Sequence, residues 1–250
     1  MNEIQNIVQT IQPAETAGND PVLDVVGPEK TYQRLAEQIV SLISAGEFKV
    51  GERLPSERNL ADRFQVSRTS VREAVISLEV QEVVEVRGGS GIYVCRTLDV
   101  AKPAYVPEGP GPFDLLRARR LIEGEIASQA AEVRKDSDVD RIYSTLTAMR
   151  NSFDNKQATD VADHNFHTCI AEATGNTVLV SVVNALWEQL RGPIWQRLED
   201  HFHTPVLRQS SLQDHHQIFS AIAMRDSAAA RSAMHAHIDR VISEFVKAWA

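Results

Sequence analysis

The chain has 250 residues, of which 43% are hydrophobic and 24% are charged, within the ordinary range of globular proteins. This length favours two domains, and the composition excludes a disordered, collagenous or fibrous chain. No apolar stretch reaches the roughly 18 residues that cross a bilayer, and the first residues lack the positive and apolar segments of a secretory leader. We therefore expect a cytoplasmic protein without a membrane contact, in which Cys95 and Cys169 are free thiols.

The charge of the chain is unevenly distributed. The net charge of −8 argues against a nucleic-acid partner, because neutralising phosphates requires lysine and arginine. Residues 31–97, however, contain nine basic and nine acidic residues, so the excess of acid lies elsewhere. All eight histidines lie between His164 and His237. The two parts of the chain therefore have different chemistry.

The first part of the chain predicts a winged helix-turn-helix. Residues 1–29 lack periodicity and are expected to form a flexible tail, followed by a DNA-binding domain over 30–96. In this domain, apolar residues recur at helical spacing and a glycine-rich turn separates two β-prone runs. The predicted elements are, in chain order, a helix from Tyr32 with a C-cap at Gly46, a helix capped by Ser56, a helix capped by Ser67, and strands over 83–86 and 92–94.

The second part of the chain predicts a helical bundle. Residues 97–112 hold four prolines and two glycines and are expected to be a linker. Residues 113–250 have helical periodicity almost throughout, which predicts an all-α antiparallel bundle of six helices. The breaks are expected near 135–136, 155, 175–176, 203–205 and 225–226. The fold class is therefore mainly α, with a two-stranded wing.

The start of the third helix has the composition of a DNA-contacting surface. In a winged helix-turn-helix this helix lies in the major groove while the wing touches the neighbouring backbone. Its first turn offers guanidines and hydroxyls, with no acid before Glu73. The alternative is a solvated polar helix face beside a tight hairpin. The residues predicted to contact DNA are Arg58, Ser67, Arg68, Thr69, Ser70, Arg72, Arg87 and Gly89.

A metal site is predicted in the second part of the chain. Asp163 and His167 are four residues apart and share a helix face, while His215 and His237 lie on apolar stripes that point into the bundle. One carboxylate and three imidazoles suit zinc first, with nickel or manganese as alternatives, and leave a coordination position open. The competing interpretation is a set of ordinary core or surface histidines. Three other histidines lie off these stripes and are expected to be solvated: His164, His216 and His235.

Residues 51–94, GERLPSERNLADRFQVSRTSVREAVISLEVQEVVEVRGGSGIYV, resemble the DNA-binding domain of the GntR family of transcription regulators. The resemblance implies that the helix residues singled out above, together with Gly89 of the wing, occupy the DNA-contacting positions of the family. The chain departs from the family at Gly88, where some relatives carry a histidine that reaches a base. The base specificity of the wing is therefore left open.

The segments DHNFHTCIAEATGN, DHHQIFSAI and ARSAMHAHI resemble the FCD effector domain of FadR-like GntR regulators. The resemblance places the Asp/His quartet on the metal ligands of that domain and, in LLRARRLIEGEIASQAAE, Arg119 facing the effector pocket. The alternative for Arg119 is a surface ion pair with Glu123. The metal set points away from an acyl-CoA effector, and VEVRGGSGIYV with PIWQRLEDHFHTP is similar to regulators of hexuronate catabolism.

These features predict a transcriptional repressor, not an enzyme. It would bind a palindromic DNA operator as a homodimer and respond to a small carboxylate such as a hexuronate, bound at the metal. A metal-dependent hydrolase using the same Asp/His site is the alternative, although the chain lacks an HExxH helix, a nucleophile elbow and a phosphate-binding glycine loop. A helical interaction module would leave the arginine-rich third helix unexplained.

Overall fold

A computed structural model describes residues 31–97, 110–202 and 205–247 of the chain. Within these ranges the chain forms ten helices and one two-stranded antiparallel sheet. The predicted class, mainly α with a two-stranded wing, is therefore confirmed. The predicted tail 1–29 and residues 98–109 of the predicted linker lie outside the described residues.

Three helices open the described chain and form the helix-turn-helix. Ser56 and Ser67 cap the second and third helices as predicted, because each Oγ accepts a backbone N–H three residues later, at 3.3 Å and 3.0 Å. The third helix packs against the other two. The bounds are α1 Thr31–Ser44, α2 Glu57–Phe64 and α3 Arg68–Val80.

The wing is a hairpin of β1 Val84–Arg87 and β2 Gly91–Val94, each strand starting one residue away from the prediction. Val84 pairs with Val94 and Arg87 with Gly91. Gly89 at the tip has φ 68°, a left-handed conformation that glycine adopts without strain. The N–H of Leu54 donates to the carbonyl of Ile92 at 2.8 Å, so the segment before α2 lies along the outer edge of β2.

Seven helices make up the rest of the described chain, one more than predicted. The additional break lies at Leu190–Gly192, where Leu190 ends one helix and Pro193 begins the next. Apolar residues continue at helical spacing across this break, through Trp187, Leu190 and Ile194, which is why the sequence hid it. The bounds are α4 Pro112–Val133, α5 Asp136–Asn151, α6 Lys156–Ala173, α7 Thr177–Gln189, α8 Pro193–Phe202, α9 Pro205–Ala223 and α10 Ser227–Lys247.

The long helix α4 is the centre of the second domain, where it packs against α10 and also contacts α6, α7 and α9. Helices α4 and α10 lie close together at Gly124, where an added Cβ would overlap the His235 ring. Helices α4 and α8 also contact α3, so the two parts of the chain touch each other. None of the described helices combines the length and the apolarity that a membrane span requires.

Candidate metal centre and DNA-binding face

Four predicted ligands come together inside the helical domain. Helices α6, α9 and α10 bring ring nitrogens of His167, His215 and His237 within 4.8 Å of one another. These three histidines are 2%, 1% and 4% exposed. The Asp163 Oδ1 atom lies 3.4 Å from His167 Nε2 and 3.1 Å from His215 Nε2. The spacing argument for this quartet thus predicted a real cluster.

The polar atoms of this cluster fit a metal ion. Asp163 Oδ1 and the Nε2 atoms of His167 and His215 are buried, and within the described ranges none has a partner in hydrogen-bond geometry. A buried polar atom without a partner costs about 1 to 3 kcal/mol, so such atoms rarely converge without a ligand. A carboxylate oxygen and imidazole nitrogens are the donors that zinc and similar metals bind.

Two further carboxylates approach the Nδ1 atoms of His167 and His237. Glu123 Oε2 contacts His167 Nδ1, and the same carboxylate accepts a hydrogen bond of 2.6 Å from Arg119 Nε. Asp214 Oδ2 lies 3.8 Å from His237 Nδ1 and accepts a bond of 2.7 Å from Arg240 Nε. Carboxylates in this position fix the ring orientation of a metal-binding histidine.

The sequence analysis did not assign a role in the metal centre to Glu123 or Asp214. A signal was present for both, since Glu123 stands four residues after Arg119 and Asp214 immediately precedes His215. Neither spacing shows which imidazole the carboxylate would face.

Burial and neighbouring charges keep Asp163 and Glu123 ionised and His237 neutral. Burial acts to raise the pKa of Asp163, but the His215 and His167 rings outweigh it and hold that pKa well below its usual range. Burial likewise opposes the Arg119 and His167 charges at Glu123, whose pKa falls to about 2. Burial and the His215 ring lower the pKa of His237 to about 4, so this imidazole is neutral at pH 7. Neutral imidazoles and ionised carboxylates are the forms that bind metals.

Three members of the cluster, Asp163, His215 and His237, line a cavity of about 780 Å³. Arg119, which the family resemblance placed in the effector pocket, lines this cavity, with its guanidinium 4.3 Å from the Trp187 ring centroid. The alternative expectation was a surface ion pair between Arg119 and Glu123. The two side chains do form this ion pair, but both are buried. The cavity wall also includes Phe153, Lys156, Trp195, Glu199 and Arg208.

The remaining histidines were predicted less well. His216 is exposed, as expected. His164 is half-buried because its ring stacks on Trp187 at 5.0 Å and its Nε2 lies 2.9 Å from Asn184 Oδ1. His235 is half-buried because Gly124 leaves room for its ring. The expectation that His164 and His235 are solvated was therefore wrong.

The predicted DNA-contacting residues of α3 lie at its start and differ in exposure. The side chain of Arg68 is 60% exposed, whereas that of Arg72 is 7% exposed. Both arginines pair with the Glu57 carboxylate of α2, at 3.4 Å for Arg68 and 2.9 Å for Arg72. Sequence reasoning missed Glu57, because the partnership depends on how α2 packs against α3. The hydroxyls of Ser67 and Ser70 lie 2.9 Å apart within the helix cap.

The other predicted DNA contacts lie on neighbouring exposed surfaces. Arg58 is exposed on α2, and Gly89 is exposed at the tip of the wing. The Arg87 guanidinium pairs with Glu85 at 2.8 Å and lies 4.4 Å from the Tyr93 ring centroid. Its side chain is therefore oriented on the wing before any DNA is present.

Residues 31–94 of this chain match the gntR family of bacterial regulatory proteins, and residues 114–240 match the FCD domain. The chain belongs to the GntR family. The Uxu operon regulator of Haemophilus influenzae is 36% identical over 215 residues, which cover 85% of this chain and 80% of that relative. The Exu regulon transcriptional regulator of Escherichia coli is 36% identical over 224 residues, covering 87% and 85%.

Among solved structures, Streptococcus agalactiae GntR is similar at 27% identity and a TM-score of 0.43, covering 84% of this chain and 98% of that one. The predicted membership of the GntR family, with an FCD domain, is thus confirmed. The relatives are named as transcriptional regulators and not as enzymes. This GntR protein is accordingly a transcriptional regulator with a DNA-binding domain followed by an effector domain.

Proposed function

We propose that this GntR regulator is a homodimeric repressor that releases a palindromic operator when a sugar acid binds at a metal in its FCD domain. The observation that supports this most directly is the convergence of Asp163 and three histidines beside a cavity whose lining includes Asp163, His215, His237 and the buried Arg119. A metal and an arginine together provide two attachment points for a carboxylate.

The metal would be held by Asp163, His167, His215 and His237, with zinc as the first choice and nickel or manganese as alternatives. Burial acts to lower the pKa of His167, but the Glu123 and Asp163 carboxylates raise it overall. These carboxylates therefore favour positive charge at this position, which a divalent cation supplies when bound. When present, such a cation attracts the carboxylate or hydroxyl oxygens of an effector.

The cavity suits a polyhydroxylated acid. Its volume of about 780 Å³ lies within the roughly 300 to 1,000 Å³ typical of small-molecule sites. Trp187 Nε1 and Arg208 Nε are buried, and neither has a hydrogen-bond partner among the residues that the structure describes. Both residues line the cavity, where sugar hydroxyls would supply the missing acceptors. A hexuronate offers one carboxylate and several hydroxyls, which matches this arrangement.

The hydrolase alternative is weaker. Many metallohydrolases pair the metal with a free carboxylate that acts as general base. Glu123 is committed to Arg119 and His167, and Asp214 to Arg240. We therefore expect no turnover when the metal-loaded protein is incubated with sugar-acid esters or glycosides.

Operator release tests the function. A duplex selected from random sequence by the protein itself serves as operator, and fluorescence anisotropy is measured with glucuronate, galacturonate or lactate, with and without EDTA. We expect a hexuronate to weaken binding by roughly 5- to 150-fold, the usual range of allosteric coupling, and EDTA to abolish the effect. Sedimentation analysis of the protein tests whether it is a homodimer. Unchanged affinity with every acid would contradict the effector class, and tighter binding would contradict release of the operator by the acid.

A further inference from the structure

Helix α3, whose start is the DNA-facing element, is held by the effector domain. Every residue from 71 to 79 is buried, which means that α3 is covered on all sides beyond its first turn. Helices α1 and α2 cover part of it, and α4 and α8 contact it from the effector domain. Three α3 side chains contact these two helices: Thr69, Glu73 and Glu79.

Glu73 attaches α3 to the beginning of α4. The Phe113 N–H donates to Glu73 Oε1 at 3.1 Å, and the carboxylate is buried. Gly111, the N-cap residue of α4, has no side chain to accept this bond, so α3 supplies the cap that α4 lacks. A Cβ added at Gly111 would overlap the Glu73 carboxylate. The contact thus depends on glycine at this position.

Arg117 of α4 engages the DNA-facing turn of α3 itself. Its Nη2 donates to Thr69 Oγ1 at 3.3 Å, while its Nη1 donates to Asp114 Oδ1 at 2.7 Å. The Thr69 hydroxyl, at a position predicted to contact DNA, therefore accepts a hydrogen bond from a side chain of the effector domain.

The helices that hold α3 also form the wall of the effector cavity. On α4, Arg119 lines the cavity two residues after Arg117. On α8, Arg197 Nη2 lies 3.5 Å from Glu79 Oε1, and the cavity residues Trp195 and Glu199 stand two positions on either side. A ligand that moves either helix therefore acts on the attachment of α3 without an intermediate element.

We propose that the attachment of α3 to α4 and α8 is an autoinhibitory contact, which an effector in the cavity strengthens and which operator binding must break. The part of this proposal that concerns the effector rests on the proposed function. The part that concerns the contact between α3 and the effector domain does not. The apparent operator affinity equals the intrinsic affinity multiplied by the fraction of protein with α3 released. Removing a holding contact therefore raises operator affinity.

Arg117→Ala tests the contact, with Arg120→Ala as a matched control. Arg120 lies on the same helix but pairs with Asp239 of α10 at 2.7 Å. In anisotropy titrations without sugar acid, we expect Arg117→Ala to bind the selected duplex about 3- to 10-fold more tightly than wild type, the value of one hydrogen bond. Arg120→Ala should match wild type. Equal or weaker binding by Arg117→Ala would overturn the proposal, and weaker binding would make Arg117 a DNA contact.

Gly111→Ala provides a second test that leaves every charge in place. Displacing Glu73 should also tighten operator binding, and amide hydrogen exchange of residues 71–79 should become faster than in wild type. Unchanged exchange and unchanged affinity would count against the contact. If no sugar acid affects any variant, the proposed effector fails, yet tighter binding by Arg117→Ala still supports autoinhibition. If glucuronate releases wild type but Arg117→Ala binds no more tightly, only autoinhibition fails.

Discussion

The cavity beside the Asp163 and histidine cluster and the first turn of α3 differ in whether their polar groups already have partners. At the cavity, Asp163 and His215 present buried polar atoms that lack hydrogen-bond partners within the described part of the chain. On α3, Arg68 and Arg72 already pair with Glu57. A ligand in the cavity gains a contact that the protein does not otherwise make, whereas DNA must exchange one partner for another. The cavity should therefore respond more strongly to single substitutions than the DNA-binding face.

The largest expected effect is the loss of the metal in His215→Ala. Removing one buried ligand of four should reduce the metal content from about one ion per chain to almost none, as measured by plasma mass spectrometry after dialysis. His216→Ala is the matched control, because the neighbouring ring is exposed on the same helix. Equal metal content in the two variants would remove His215 from the metal centre.

A second effect concerns pH and the Glu73 contact. Burial and then the Asp114 charge raise the pKa of Glu73 from 4.5 to about 7, although the Phe113 and Asp114 amides act to lower it. Between pH 4.5 and 7, Glu73 stays protonated in the folded protein but is ionised in the unfolded chain. The contribution of Glu73 to the free energy of unfolding therefore falls as pH rises. Relative to Glu73→Gln, wild type should lose up to about 3 kcal/mol between pH 4.5 and 7.

Calorimetric unfolding of both proteins from pH 5 to pH 8 measures this difference. The metal ligands are the same in both, so their own titration cancels. Parallel curves across the window would show that the Glu73 carboxyl titrates normally.

The DNA-binding face should respond to Arg68→Ala with a loss of about 1 to 3 kcal/mol in operator binding. Where Arg68 contacts a phosphate, the loss should shrink as salt is added, because added salt removes the gain from releasing counterions. Arg150→Ala, an exposed arginine at the end of α5, is the control. Arg72→Ala should weaken binding by a similar amount and also lower the melting temperature, because it leaves the Glu57 carboxylate without its closest partner. Wild-type affinity in both variants would contradict the assigned face.

Substituting a carboxylate that contacts a ligand histidine should reduce metal binding less than substituting the ligand itself. Glu123→Gln keeps the size of the side chain but removes the charge that orients His167, so metal affinity should fall by about 10- to 100-fold. Competition with a chromophoric chelator measures it. Glu125→Gln is the control, since Glu125 is an exposed partner of Arg231. An unchanged affinity in Glu123→Gln would show that His167 is oriented by packing alone.

The smallest expected effect is on selectivity. Trp187→Phe keeps the aromatic wall but removes the buried Nε1 donor, so the response to glucuronate should weaken by about 2- to 10-fold while the response to a short acid stays the same. Titrating operator release with each acid measures the ratio. Equal losses for both acids would mean that Trp187 contacts the carboxylate end and not the hydroxyls.

Local spacing predicted the parts of this molecule that depend on one helix at a time. The caps at Ser56 and Ser67 and the inward faces of His215 and His237 follow from residues within one or two turns. The wing was likewise predicted from the glycine-rich turn between two β-prone runs. These predictions rest on helical geometry and turn chemistry, both of which are readable in a short window of sequence.

Contacts between helices could not be predicted in the same way. Glu57 lies 15 residues from Arg72, and Arg117 lies 48 residues from Thr69, so each pairing exists only after the helices have packed. The orientation of Glu123 toward His167 likewise depends on the crossing of α4 and α6. For this reason the sequence predicted which residues cluster, but not which residues pair with them from other helices.

The short break between α7 and α8, at residues 190–192, restricts the insertions and deletions that this protein can tolerate. Each residue inserted into a helix rotates the remainder of that helix by about 100°. One extra residue at the beginning of α8 would rotate Trp195 and Arg197 together, away from the cavity and from Glu79 respectively. Substitutions can alter either role of α8 separately, but an insertion or deletion there alters both at once. Among functional relatives, this helix should therefore diverge in composition while its distance from α7 stays fixed.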